Sequence, residues 1–337
     1  MNWITKRLAM AGITVWGVIT ISFGLVRLMP GSPTDYIVAQ FVSTGAGGTS
    51  GVDMSAIQDR VEAYINVNPS EPLWQQYINY VTSMLSGDLG RSIWYSEPVT
   101  QVLGEALPWT VFIMGVATIL SFVIGIGLGA AMAYVEGSNF DRLSSIGMII
   151  TNSTPYYLFA IALILVFAYQ FEVFPAVGRV DSGATAGSLD WYLSVLKHSV
   201  LPIASMVITQ MGGVALSMRG NSIQVLGEDY LRVARLRGLP KPRIAIRYVA
   251  RNAVLPLYTG MMIAVGNIFG GAIIVEVIFG YYGIGYYMYQ AVLARDYPLL
   301  MGGFIVITVA VVIALLFADL TYGYLDPRAG SGGEATA

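Results

Sequence analysis

The sequence contains no cysteine and a single histidine, His198. The first absence removes disulfides, iron–sulfur clusters, thiol nucleophiles and thiolate zinc sites. The second leaves little for imidazole chemistry. Charge is scarce too: 11% of the 337 residues are Asp, Glu, Lys or Arg, against about 25% in an ordinary globular chain. So few charges cannot cover a soluble surface. With 55% hydrophobic residues and a mean hydropathy of +0.65, the chain belongs in a bilayer. A formal charge of −2 and a pI near 5.4 give no support for a nucleic-acid partner. The sequence also lacks G-x-x-x-x-G-K-[ST], H-E-x-x-H and G-x-S-x-G, and so has no phosphate-cradling loop or hydrolase motif of its own. Gly125 to Ala130 fits G-x-G-x-x-A in letters only. It lies inside an apolar run, where Gly125 and Gly129 read as a small-xxx-small helix-packing face.

What the chain has in plenty is long apolar runs. A membrane-spanning helix needs about 20 such residues. Six stretches qualify: Ala9–Met29, Leu107–Val135, Ser145–Phe171, Val200–Met218, Val254–Phe279 and Leu300–Tyr324. The expected fold class is an all-α integral membrane protein with six transmembrane helices. The expected organisation is 1–29 (N-terminus and first span), 30–106 (outer loop), 107–218 (spans two to four), 219–253 (inner loop), 254–326 (spans five and six) and 327–337 (tail). Basic residues favour the cytoplasmic side. With the N-terminus inside, 12 of the 18 Lys and Arg residues fall in inner segments, most of them in 219–253. The sequence therefore predicts both termini in the cytoplasm. Lys6-Arg7 ahead of an apolar run resembles a secretory leader, but the run is long and no A-x-A site precedes Pro30. It reads as an uncleaved first span.

Two loops carry the information. The outer loop holds eight carboxylates against two basic residues, and a Gly/Ser/Thr run at 43–51. Ser55 with Gln58 fits a capping box for one short helix. Pro72 opens a second, with Leu73, Tyr77, Tyr80, Val81, Met84 and Leu85 expected on one face and Gly87 at its end. In the inner loop, Leu226, Tyr230, Val233 and Ala234 recur at helical spacing, with Arg237 beside them, before Gly238 and Pro240 break the helix. A second helical stretch, Pro242–Asn252, sets Arg243, Arg247 and Arg251 on one stripe. The stripe alone reads as a lipid-binding, topology-setting loop. The small residues Ala234 and Gly238, which would let another surface approach closely, read as a docking hairpin.

Polar groups inside spans are candidates for a transport pathway. Thr151-Asn152-Ser153-Thr154-Pro155 interrupts the third span, Thr209-Gln210 the fourth and Asn267 the fifth; Glu276 and Asp319 are intramembrane carboxylates near span ends. Six tyrosines between Tyr281 and Tyr297 read as an interfacial belt or a stacking surface for a sugar or an apolar ligand.

With its segments in this order, the chain resembles the permease subunit of an ATP-binding-cassette importer, B-type, of the dipeptide/oligopeptide/nickel branch. The resemblance runs through Arg27-Leu28-Met29-Pro30-Gly31-Ser32-Pro33, Pro72-Leu73-Trp74-Gln75-Gln76-Tyr77 and Gly87-Asp88-Leu89-Gly90-Arg91-Ser92. It continues with Phe140-Asp141-Arg142-Leu143, Phe174-Pro175-Ala176-Val177-Gly178, Asp229–Pro256, Leu293-Ala294-Arg295-Asp296-Tyr297-Pro298-Leu299 and Leu325-Asp326-Pro327-Arg328. Of the family's E-A-A-x-x-x-G, only Ala234 and Gly238 match literally. Phe279 to Gly285 resembles F-S-Y-P-G-L-G, with Gly280 and Tyr282 departing from it, and a tyrosine-rich continuation follows.

The resemblance implies a type I importer permease fold with a partly helical outer loop. It implies no catalytic residue and no cofactor in this chain, with ATP and Mg held by partner subunits. The implied partners are a second homologous permease, two ATPase subunits, an extracytoplasmic substrate-binding protein and membrane lipid. Asp229, Tyr230, Arg232, Ala234, Arg235, Arg237, Gly238 and Leu239 would form the ATPase-coupling element. Asn152, Ser153, Gln210, Asn267 and Glu276 would line the pathway, and Trp74, Tyr77, Asp88, Arg91 and Trp94 would meet the binding protein. The cargo would be di- or oligopeptide. Tyr281–Tyr289 and Trp94-Tyr95 motivate an oligosaccharide alternative. From another class, Glu276 or Asp319 would serve a proton-coupled secondary transporter, against which the basic helix–turn–helix argues.

Overall fold

The computed structural model describes residues 3–28, 71–240, 243–268 and 273–325. The Gly/Ser/Thr run at 43–51, the capping box at Ser55, Lys241-Pro242 and the tail after Leu325 lie outside the described residues, as do the side chains of Arg235, Asn267 and Asp319. Among the described residues the chain is helical, with turns and one isolated bridge between Arg91 and Pro98. The elements are α1 (Trp3–Leu28), α2 (Leu73–Leu85), α3 (Val99–Tyr134), α4 (Asn139–Ser153) and α5 (Tyr156–Leu163), which continues as a π-helical stretch, Ile164–Gln170. Next come α6 (Leu189–Leu226), α7 (Asp229–Leu236), a second π-helical stretch, Ile244–Ala250, and α8 (Arg251–Ala253). The last four are α9 (Leu255–Ile268), α10 (Ile273–Ile278), α11 (Ile284–Ala294) and α12 (Tyr297–Leu325).

Among the described residues four helices are long and apolar enough to cross a membrane: Thr5–Leu25, Val99–Tyr134, Leu189–Leu226 and Tyr297–Phe317. The third expected span is not one straight helix. Asn139–Ser153 and Tyr156–Gln170 meet at 97°. Pro155 is the cause: the residue before a proline is pushed out of the α region, and Thr154 is extended at φ −94°, ψ 127°. The fifth expected span is described as α9 and α10, on either side of residues 269–272. The described residues therefore give four spans, or five if the bent pair is one crossing.

The described residues fall into two compact units. One comprises 1–110 with 282–313. Its core gathers Ile19, Tyr80, Met84, Leu89, Val99, Leu103, Leu299 and Ile305. The α2 helix lies on α1, with the Tyr77 hydroxyl 2.8 Å from Thr20 Oγ1 and its ring edge-on to Phe23 at 5.4 Å. The buried face of α2 is Gln76, Tyr80 and Met84. Leu73 and Leu85, expected on that face, are exposed at its two ends. The inward line runs at i, i+4 and i+8 from Gln76, and Gln76 is held inside by donating to the Glu71 carbonyl at 2.6 Å.

The second unit comprises 111–281 with 314–337. Its centre is α6, which two other helices approach at backbone distance. On one side a Cβ placed on Gly125 would sit 2.7 Å from Val214 Cβ, and one on Gly129 would sit 2.4 Å from the Ala215 carbonyl. On the other, a Cβ on Gly212 would sit 2.6 Å from the Met148 carbonyl, and one on Gly213 would sit 2.8 Å from Asn152 Oδ1. The small-residue face expected at Gly125 and Gly129 is therefore the α3–α6 seam. Broad apolar faces remain outside, including Val123, Ile146, Leu158, Ile161, Leu165 and Phe171. That is the pattern of a helix facing lipid or another apolar helix.

Candidate functional site

The 219–253 loop forms a compact hairpin. Helix α6 runs on to Leu226, eight residues past the expected end of its span. A two-residue turn leads into α7, which has Asp229 in its first turn, where a carboxylate complements the helix dipole. Gly238 closes α7 in the left-handed region at φ +71°. The Leu239 amide donates back to the Ala234 carbonyl at 3.3 Å, six residues around the bend. This is the Schellman type of helix end, which favours glycine at that position. The chain then returns through the π-helical stretch. Leu231, Ala234, Ile244 and Val249 are buried together, with Leu226, Leu239 and Tyr248 packed against them. Asn252 Nδ2 donates to the Tyr230 hydroxyl at 3.1 Å, and Asn221 Nδ2 to the Ala253 carbonyl at 3.2 Å. The hairpin is thus a small core of its own, pinned to the end of α6.

This geometry corrects which face of α7 is available. Ala234, expected to admit another surface, is 4% exposed and packs inside the hairpin. The outward apolar line is Tyr230, Val233 and Leu236, at 41%, 51% and 81% exposure. Asp229, Arg232, Arg237 and Gly238 are also exposed, and Leu239 is half-buried. Arg235 lies on the α7 backbone. Val233 and Leu236 were missing from the expected set. Their i, i+3, i+6 spacing with Tyr230 was the available signal, masked by the stronger pull of the Ala-x-x-x-Gly match. Arg243, Arg247 and Arg251 are all exposed, as the stripe implied.

The hairpin is braced from the side. Arg219, near the end of α6, grips Asp141 at the start of α4: Nε lies 2.5 Å from Oδ1 and Nη2 2.8 Å from Oδ2. The Gly137 amide also donates to Asp141 Oδ2, at 2.9 Å. Asp141 is 2% exposed. Such two-point pairs fix orientation as well as charge.

Of the expected pathway residues, Asn152, Ser153 and Gln210 are exposed at the surface of the second unit, with Asn152 against Gly213. Polar side chains exposed within a span need water or another subunit. Glu276 differs: it is 0% exposed. Asn267 lies on the α9 backbone.

In the first unit, the two outer motifs meet. Asp296, 1% exposed, accepts hydrogen bonds from Ser92 Oγ at 2.5 Å, the Trp94 amide at 3.0 Å and the Leu299 amide at 3.1 Å. It therefore caps α12 and clamps the 86–98 loop at once. The Gly90 amide donates to Asp88 at 3.0 Å, and Arg91 Nη2 to the Ser96 carbonyl at 2.7 Å, so both expected contact residues shape this loop. Trp74 and Trp94 are exposed at 65% and 62%. Tyr77 is half-buried on α1. Tyr282, Tyr286, Tyr287 and Tyr95 stack edge-to-face in a chain, with centroids 4.9 to 5.8 Å apart. Burial, with the Tyr287 and Tyr286 phenols and Asp296 adding to it, pushes the Tyr95 phenol up to about 12. Tyr281 is fully buried, and Ser199 lies 3.4 Å from its hydroxyl. These rings face one another more than they face an open platform.

The described residues define a helical membrane protein whose 219–253 loop folds into a braced hairpin. Residues 125–331 match the family described as "Binding-protein-dependent transport system inner membrane component", and the chain belongs to that family. It is 30% identical to the dipeptide transport system permease protein DppB of Bacillus subtilis, over 97% of both chains. It is also 30% identical to the probable D,D-dipeptide transport system permease protein DdpB of Escherichia coli, over 95% of both. Identity to the dipeptide permease protein DppB of Alkalihalophilus pseudofirmus is 29%, over 97% of this chain and 99% of that one. The protein is a multi-pass membrane permease component, not an enzyme, and it works with other components of a binding-protein-dependent system.

Proposed function

We propose that this chain is one permease half of an ATP-driven importer of di- and oligopeptides. The observation that carries the reading is the exposed Tyr230–Val233–Leu236 edge on a hairpin with its own core. A short rigid helix with an apolar edge and charged flanks is suited to a groove on a soluble partner. That partner is an ATPase subunit, one of two, holding ATP and Mg. Asp229, Arg232, Arg235, Arg237 and Gly238 flank the contact. A second, homologous permease completes the pathway. Asn152, Ser153 and Gln210, exposed on this chain, are assigned to that pathway, with Asn267 and the buried Glu276 as further members. An extracytoplasmic binding protein delivers substrate to the outer surface, where Trp74 and Trp94 offer contact.

Both termini lie in the cytoplasm by the basic-residue bias, which puts the hairpin on the ATPase side. ATP shifts the transporter outward only through its tighter binding to the closed ATPase pair. Peptide cargo follows from the names of the relatives. The test is uptake of labelled di- and tripeptides into vesicles holding the whole complex. Uptake that needs ATP, the binding protein and Leu236 supports the reading. Uptake that persists without the ATPase subunits overturns it.

A further inference from the structure

A cavity of about 950 Å³ opens beside the hairpin. Its apolar lining includes Ala130, Val135, Leu226, Leu239, Ile244 and Val249. Four side chains with polar groups, Tyr134, Glu136, Ser138 and Ser222, share the lining. Ser222, 1% exposed, lines the cavity, and its Oγ has no hydrogen-bond partner among the described residues. Buried hydroxyls are normally satisfied, so an orphan one facing a cavity points to a missing partner. Glu136 stands exposed on the same lining. The rim is built, not loose: the next amide, Gly137 N–H, is fixed on Asp141, which Arg219 holds. Arg219 is within electrostatic reach of Glu136 but points its fork at Asp141. Asp141 and Arg219 engage each other, and Glu136 is the one charged side chain on the described lining.

We infer that this cavity binds an amphipathic amine: an apolar body in the pocket, a protonated nitrogen at Glu136 and a second hydrogen-bonding group on Ser222. The volume falls within the range of small-molecule sites. An anionic amphiphile is disfavoured, because its head group would meet Glu136 with no cation on the described lining to receive it. Zwitterionic peptide is disfavoured at its carboxylate end for the same reason. The site stands on its own geometry and needs no part of the transport reading.

The test uses the full importer complex in lipid nanodiscs without nucleotide. It is exposed to photoreactive alkyl probes of one length: an amine, an ω-amino alcohol and a carboxylate. Labelled peptides are mapped by mass spectrometry. Both amines should label 130–138 and 222–250 roughly tenfold more than the carboxylate, as one charge-assisted hydrogen bond provides. Glu136→Gln should abolish that preference. Ser222→Ala should remove only the advantage of the amino alcohol over the plain amine. Val135→Trp should block the mouth and end labelling by all three. Equal labelling by the three head groups, indifference to Glu136→Gln, or labelling that survives Val135→Trp would mean partition into lipid alone and overturn the site. Because no ATP or transport is read, such a failure leaves the coupling reading standing.

Discussion

Arg219 and Asp141, 78 residues apart, are joined by two parallel hydrogen bonds and tie the end of α6 to the start of α4. Removing one partner leaves the other without its counter-charge, which is worse than losing both. Asp141→Ala should lower the melting temperature of the purified complex by several degrees. Asp141→Ala with Arg219→Met should recover part of that loss. Equal melting of single and double variants would show that the pair does not brace this end.

At the hairpin, Leu236 is the most exposed apolar residue of α7 and makes no core contact there. Leu236→Asp should leave insertion and folding unchanged. An apolar anchor at an interface is worth about 2 kcal/mol or more, so substrate-stimulated ATP hydrolysis should fall about thirtyfold. Leu231→Ala, inside the hairpin, should instead destabilise it by about 2–4 kcal/mol, read as faster amide exchange across 229–250.

The bend at Gly238 separates conformation from contact. Among the described residues nothing lies within 4 Å of a Cβ placed there, and the backbone sits at φ +71°. A β-branched residue in that region costs about 1–2 kcal/mol, and Asn or Asp much less. Gly238→Val should cut transport while Gly238→Asn keeps most of it. If both lose transport equally with ATPase activity intact, a partner surface, not the backbone, requires the glycine.

The Ser92–Asp296 clamp predicts a local effect within the first unit. Asp296→Ala leaves the Ser92 hydroxyl and the Trp94 amide without their acceptor, at about 1–3 kcal/mol. Protease nicking between 86 and 98 should accelerate, with α6 exchange unchanged.

On α3, Gly129→Val drives a Cβ into the Ala215 carbonyl, whereas Gly127→Ala meets open space. The first should abolish assembly of the complex on size exclusion, and the second should run as wild type. Failure of Gly127→Ala would show that the whole stretch, not one seam, tolerates no side chain.

Much of this was legible beforehand because the signals are one-dimensional. Apolar runs long enough for a bilayer, Pro155 inside the third of them, and Gly238 with Pro240 after a periodic stretch each act on the chain locally. The resemblance also placed Asp141, Ser92 and Asp296 in the right motifs. It did not show that Ser92 meets Asp296 or that Arg219 meets Asp141, because such pairings span 204 and 78 residues and leave no local period. Which face of α7 turns inward is hidden from the sequence for a similar reason. Leu231 and Ala234 turn inward to Ile244 and Val249, partners that arrive only after the chain reverses. Leu73 and Leu85 look buried by pattern, but α1 covers only the middle of α2.

The glycine seams on both sides of α6 have one more implication. Where α3 and α4 meet it, main chain touches main chain, and no layer of flexible side chains lies between to absorb a shift. A push delivered at one end of that rod cannot be cushioned on the way. All three rods must swing as one lever, or the seam must part.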